Sequence, residues 1–207
     1  MANAAAKDFE KAETEQRKQE GELGGGERVA REHEEVLYQP AFDFLDEVYG
    51  GEPGFHAVIL GNKQLAEGKW NTPDVIGMYV KPCGSGGLPV LRLLSVEAKW
   101  RLTRDAVAEA ASHRRFANYA FLLVPTAFLD IDRRLITECM EAGVGIICPG
   151  KSGAQKYHIQ FRPSLNRPDE EAVDEFLNSF RGDDKKLLAE RAAKEVRKLL
   201  GAVFAGS

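Results

Sequence analysis

Cysteine is scarce. A chain of 207 residues holds three, Cys83, Cys139 and Cys148. The number is odd and no two stand at the spacing of a metal knuckle, so neither a disulfide framework nor a cysteine-held zinc site is expected. Buried or incidental thiols in a reducing compartment are the expectation. Long apolar runs are missing as well. The opening stretch MANAAAKDFEKAETEQRKQE has no apolar centre of a secretory signal, and no run reaches the length of a bilayer span. A cytoplasmic protein with no membrane partner is expected. Positive charge is not in excess: 28 Lys and Arg face 32 Asp and Glu, a net charge of −4. The basic footprint usual for a nucleic-acid binder is therefore absent from the whole-chain balance. That balance does not describe one local groove, where a bound divalent cation can supply positive charge. There is no glycine-rich phosphate loop ending in GK[ST], no HExxH and no GxSxG, so the P-loop, zinc-peptidase and serine-hydrolase signatures are excluded.

What is present suits a soluble globular domain, with 43% hydrophobic and 29% charged residues. The length is enough to bury a substantial core without staples. Residues 1–26 are rich in Ala, Glu, Lys and Gln and end in three glycines, which reads as a charged helix or disordered lead-in with a hinge. From Glu27 to about Tyr49 apolar residues recur at helical spacing, with Leu37, Ala41, Phe44, Leu45 and Val48 on one face. Pro40 is expected to kink or split this helix.

The period then changes. Strands are expected at Phe55–Leu60, Asp74–Val80 and Val90–Trp100, with KPCGSGGLP as the loop between the last two. A helix over Thr103–Tyr119 follows, with Thr103 as its cap. Next come a strand at Ala120–Val124, a helix at Leu129–Ala142 stopped by Gly143, and short strands at Val144–Cys148 and Tyr157–Phe161. The order implies an α/β fold with a mixed central sheet flanked by helices. The α/β domain is placed at 27–162. A helical C-terminal extension is placed at 163–207, where Leu188, Ala192, Val196, Leu199 and Val203 form a stripe that packs on the domain or on a second subunit. The second alternative would make a homodimer through terminal helices.

Two segments carry chemistry: Pro73-Asp74-Val75-Ile76-Gly77 and Ser95-Val96-Glu97-Ala98-Lys99. Residues two apart on a strand share a face, so Glu97 and Lys99 project together while Ala98 points the other way. Leu91, Leu93 and Ser95 share their parity. An apolar strand face that finishes in Glu and Lys reads either as the rim of a site or as a surface ion pair on an ordinary strand. If the two strands pair, Asp74 converges with Glu97. Converging carboxylates repel unless a positive charge intervenes, and oxygen ligands suit Mg²⁺ or Mn²⁺. Lys99 beside such an ion could position a water or stabilise a phosphate.

The Pro73-Asp74 and Glu97-Ala98-Lys99 pair, set in an α-β-β-β-α-β order from Glu27 to Pro149, resembles the PD-(D/E)xK nuclease superfamily with its restriction-endonuclease-like core. The resemblance implies a Mg²⁺- or Mn²⁺-dependent nuclease acting on nucleic acid, DNA in the first instance. It implies metal binding by Asp74, Glu97 and the backbone carbonyl of Ala98, and a water-assisting role for Lys99. Members often add an acid from the first helix. Glu34 is chosen here over Glu32 and Glu35, with His33 a close competitor and a plain solvated charge cluster (REHEE) the alternative. Some branches carry Gln-x-x-x-Tyr on the helix after the motif; this chain has Glu109 and His113 there, which leaves the branch open. Arg101, Arg104, His113 and Arg114 are the candidates for substrate contact. A surface position without function is the alternative for His113. Trp70 and Trp100 flank the motif segments, either for base stacking or for core packing.

Overall fold

The computed structural model describes residues 26–61, 72–82, 88–125, 132–149 and 157–179; side chains are described from Glu34 onward. In chain order the elements are helix α1 (Gly26–Tyr49), strands β1 (His56–Ile59), β2 (Val75–Lys81) and β3 (Val90–Ala98), and helix α2 (Arg104–Ser112). One 3-10 turn, His113–Arg115, follows α2. Strand β4 (Tyr119–Leu123), helix α3 (Arg133–Ala142), strands β5 (Gly145–Pro149) and β6 (Tyr157–Phe161) and helix α4 (Glu170–Ser179) complete the order. The fold is α/β, with a six-stranded mixed sheet in the sequential order β1-β2-β3-β4-β5-β6. β1, β2 and β3 form an antiparallel meander. β3, β4 and β5 are parallel, and β6 returns antiparallel. Helices α2 and α3 are the crossovers that parallel neighbours require.

Both faces of the sheet are covered, and β3 accordingly carries apolar residues on both, Leu93 on one and Leu94 and Val96 on the other. On one face α1 lays Leu37, Tyr38, Ala41, Phe44 and Leu45 against Val75, Leu94, Val96, Ala98 and Phe121. Gly77 permits that approach, since a Cβ there would stand 3.0 Å from Leu45 Cδ1. On the other face α2 and α3 cover β4 and β5, with Ala106, Val107, Ala110 and Cys139 on Ala120, Leu122 and Ile146. α4 covers the meander, with Phe176 against Ile76, Met78, Leu93 and Phe116.

Several expectations are corrected. Pro40 does not split α1, which runs unbroken through it. The carbonyl left without its helical partner is that of Val36, whose residue is 39% exposed, so water can satisfy it at little cost. Val48 is not on the buried face, being 45% exposed. The helix after the motif strand ends at Ser112 rather than Tyr119, because Asn118 is needed elsewhere. Its N–H donates to the Leu93 carbonyl and its Oδ1 accepts from the Leu93 N–H, both at 2.8 Å, so it continues the β3–β4 pairing. The first helix of the expected C-terminal extension, α4, docks on the sheet with Phe176 fully buried. The lead-in 1–25, Trp70, Cys83 and the 188–203 stripe lie outside the described residues. Among the described residues no helix is long and apolar enough to cross a membrane.

Phe176 stacks on Phe116 with ring centroids 3.6 Å apart and planes at 4°. Phe176→Ala is expected to cost about 3–5 kcal/mol of folding stability, read by chemical denaturation. A loss under about 1 kcal/mol would show that α4 is not part of the cooperative core.

Candidate active site

The antiparallel register sets Val75 opposite Val96. Asp74, the residue before β2, therefore lies beside the end of β3. Its Oδ2 accepts the Ala98 N–H at 2.8 Å, and the Tyr38 hydroxyl of α1 donates to the same carboxylate. The Asp74 carbonyl accepts from Leu60 and Gly61 at 2.8 and 3.0 Å. Backbone and side chain are thus both tied down. The next N–H along β3, that of Lys99, turns to Leu123 of β4 at 2.9 Å. N–H and C=O of one strand residue point to the same edge, so the carbonyl of Ala98 faces the side on which Asp74 stands.

Glu97 projects to the opposite face from Ala98. Its neighbour on β4 is Leu122, and that of Ser95 is Ala120. Both neighbours belong to the face covered by α2. Glu97 is 2% exposed, so it is a floor rather than a rim. Lys99 joins the elements. Its Nζ lies 2.8 Å from Glu97 Oε1, 3.2 Å from Glu109 Oε2 of α2 and 3.7 Å from Glu34 Oε2 of α1. Behind Glu97, His113 is wholly buried, with Nε2 3.9 Å from Glu97 Oε2.

Burial dominates the protonation of these groups. It pushes the Asp74 carboxyl up to about 6, against the Ala98 N–H, the Lys99 charge and the Tyr38 hydroxyl, all of which favour the anion. Burial, and then the charge of Asp74, hold Glu97 well above the usual carboxylate range, with Lys99 opposing. The two acids titrate as a pair that retains a proton readily. Burial alone would lower Lys99, but Glu97, then Glu34 and Glu109, override it and hold the ammonium charged. Burial, then Lys99, push His113 down to about 3, so its imidazole is neutral at physiological pH.

The donor set suits a hard divalent cation. Asp74 and Glu97 could offer carboxylate oxygens, and Ala98 a carbonyl on the Asp74 side, and oxygen donors are what Mg²⁺ and Mn²⁺ take. The Glu97 Oε2 atom is buried without a hydrogen-bond partner. Two carboxylates whose burial raises their pKa values gain most from a cation between them. Among the described residues no group of three His, Cys, Asp or Glu side chains is arranged to hold a metal. The set here has two acids of the strands and one backbone oxygen.

The structure brings together Asp74, Glu97, Ala98, Lys99 and Glu34. Glu35, the other described acid of the REHEE run, is exposed, while the side chains of Glu32 and His33 lie outside the described ones. The basic candidates are distributed differently. His113 is not a surface histidine and does not present itself to a substrate; it is 0% exposed, because the 3-10 turn that follows α2 tucks it inward. Arg114 Nη1 donates to the carbonyls of Gly143 and Ser164 at 2.7 and 3.0 Å, tying the loop ahead of β5 to the segment after β6. Arg104 pairs with Glu138 at 3.2 Å. Arg101 is exposed beyond the end of β3. Trp100 is 8% exposed and packs in the core beneath α1, which is the packing alternative. Sequence reasoning passed over Tyr38, although it stands one helical turn after Glu34 and must share its face.

No family model matches the chain, and no curated protein matches it. Among solved structures, a protein of unknown function from Silicibacter pomeroyi is similar at 15% identity, over 70% of this chain and 80% of its own, with a TM-score of 0.32. A similarity of that size carries no argument about fold or function.

Asp74 yields a prediction with a definite sign. Its folded value of about 6 lies above its ordinary 3.8. Between those values the folded chain holds more protons than the unfolded one, so stability falls as pH rises through this window and stays reduced above it. The metal-free protein is therefore expected to gain less stability from pH 5 to pH 7 than an Asp74→Asn variant. Asn keeps an oxygen for the Ala98 N–H without the charge. At pH 7 the variant is expected to melt higher, on the order of 5 °C, by scanning calorimetry. A lower melting temperature at pH 7 would show that the Asp74 charge stabilises the fold.

Proposed function

We propose that this chain is a metal-dependent nuclease of the PD-(D/E)xK type, cutting phosphodiester bonds in nucleic acid, with DNA as the expected substrate. The observation that carries the reading is the hydrogen bond from the Ala98 N–H to Asp74 Oδ2 at 2.8 Å. It holds the aspartate before β2 against the end of β3, where Glu97 and Lys99 form their own ion pair at 2.8 Å. The position also fits the tendency of α/β sheets to place their sites beyond the carboxyl ends of parallel strands, here β3 beside β4.

Each group has a role in the reading. Asp74, Glu97 and the Ala98 carbonyl would hold the cation, which would supply a lowered water pKa and positive charge for the phosphoryl oxygens. Lys99 orients the attacking water and donates to a phosphoryl oxygen. Glu34 and Glu109 offer its ammonium alternative partners at 3.7 and 3.2 Å, which keeps it charged and near when Glu97 is engaged elsewhere. Tyr38 locks the Asp74 rotamer from the α1 side.

One observation favours a second reading, a nuclease-fold binding or assembly module without catalysis. Three carboxylates, Glu97, Glu34 and Glu109, stand within 4.0 Å of Lys99 and Asp74 feels its charge, while Arg104 and Arg114 are engaged with protein groups. A site so acidic repels phosphate until a cation neutralises it.

The two readings separate in one assay. Plasmid, linear duplex and single-stranded DNA are incubated with and without Mg²⁺ or Mn²⁺, and RNA is run in parallel. Cleavage is expected only with the ion, and Lys99→Ala is expected to lower its rate by at least about 100-fold while still binding Mn²⁺ by calorimetry. Wild-type rates in Lys99→Ala would overturn the assignment of the lysine. Asp74-dependent Mn²⁺ binding with no cleavage of any substrate would favour the second reading.

A further inference from the structure

His113 is the buried polar group for which the proposed reaction has no task. Its ring is wholly buried, neither ring nitrogen has a hydrogen-bond partner, and the same is true of Glu97 Oε2. These orphaned atoms face each other: Nε2 lies 3.9 Å from Oε2. Ser95 Oγ, on the same face of β3 as Glu97, is a further buried atom without a partner. Unpaired buried donors and acceptors are rare because each has given up its water for nothing. A donor and an acceptor left unpaired side by side are rarer still.

Both side chains are anchored by their surroundings. The His113 carbonyl accepts from the Phe116 and Ala117 N–H groups at 3.1 and 2.8 Å, and the ring packs on Phe116 with centroids 5.7 Å apart. Glu97 is fixed by its register opposite Leu122 and by the Lys99 contact on its other oxygen. Within that frame the carboxylate can turn about its last bond. A distance of 3.9 Å exceeds a hydrogen bond, yet a modest turn or one bridging water closes it.

We propose that His113 is a positioning residue for Glu97: its Nε2–H donates to Glu97 Oε2, directly or through one water, and fixes the plane of the carboxylate. Oε2 is thereby held at the rear, and Oε1 is presented to the side where Lys99 stands. What Glu97 is positioned to do rests on the nuclease reading; the contact itself does not. Hydrogen bonds to the far side of ligating groups commonly orient them and sharpen metal affinity. The site then receives one acid and one ring group, a helical turn apart, from each flanking helix. Glu34 and Tyr38 come from α1, and Glu109 and His113 from α2 together with the turn that ends it.

The test begins with the metal-free wild-type chain. Ring ¹H–¹⁵N spectra are recorded, with His113 assigned by its loss in His113→Gln. The expected result is an Nε2–H ring whose Nε2 signal moves in Glu97→Gln. A bare Nε2, or an Nε2 signal unmoved in Glu97→Gln, overturns the proposal. The second measurement is Mn²⁺ affinity by calorimetry. His113→Leu is expected to weaken it about 10- to 100-fold, and His113→Gln, which keeps an N–H donor, to restore part of the loss. Unchanged affinity in a His113→Leu protein that melts cooperatively overturns the positioning role. If His113→Leu does not fold, the ring signature and the His113→Gln affinity still decide. A wild-type chain that binds no Mn²⁺ yet shows the Glu97-dependent ring signature supports the contact and counts against the nuclease reading alone.

Discussion

One ammonium holds four elements together. Lys99 stands within 4.0 Å of carboxylates from β3, α1 and α2, and its charge also acts on Asp74 at the start of β2. A protein interior tolerates isolated charge poorly, and removing one partner of a buried pair costs more than the pair contributes. Here the burial is lopsided, with Glu97 nearly sealed and Lys99 partly open. The ion pair is thus a constraint on geometry more than a source of stability. It requires α1 and α2, on opposite faces of the sheet, to bring their acids to the same end of β3. The backbone contributes independently: the Ala98 N–H, with no strand left to pair with, takes the Asp74 carboxylate in place of a ladder partner.

The sheet explains why this convergence occurs where it does. β3 is the strand at which an antiparallel meander meets a parallel run. Its antiparallel neighbour begins where it ends, so a residue just before β2 and residues at the end of β3 become neighbours across a long stretch of chain. Its parallel neighbour demands a crossover helix, and α2 departs at once from the same end, capped by Thr103, whose Oγ1 accepts from Ala106 at 3.1 Å. That crossover brings Glu109 and His113 over the face on which Glu97 lies. A purely antiparallel sheet would supply the first convergence without the second.

Much of this was legible in the residues. Alternation along Val90–Lys99 places Glu97 and Ala98 on opposite faces, and the structure keeps that arrangement. Helical spacing finds the buried face of α1 at Leu37, Ala41, Phe44 and Leu45. What pattern does not carry is whether a face is covered. Glu97 reads as a rim because polar residues usually end strands at the surface, yet α2 lies over it. His113 reads as a substrate contact or as a surface position without function; one 3-10 turn after α2 buries it and makes it neither. Asn118 has no signal at all, since its role is to imitate a strand residue for Leu93. Basic residues near a motif are equally ambiguous: Arg114 is used to tie backbone carbonyls, a role only the fold can assign.

The departures from ordinary protein chemistry are also concentrated. Most of the described chain obeys local rules: apolar faces are covered, α2 and α3 carry N-caps, and Gly143 ends α3 in the left-handed conformation at φ 67°. Among the described residues, the raised carboxylate pKa values of Asp74 and Glu97, the unpartnered atoms of Glu97, Ser95 and His113 and a crowd of like charges gather around the end of β3. Selection for stability alone would replace Asp74 and Glu97 with neutral groups, since each is held in a medium that disfavours its charge. Local rules broken in one place and kept elsewhere are the pattern of a site maintained for what it does. The broken rules fall on an acid pair, the lysine beside it and the histidine behind it, so the cost of the arrangement is carried by the groups that converge at the end of β3.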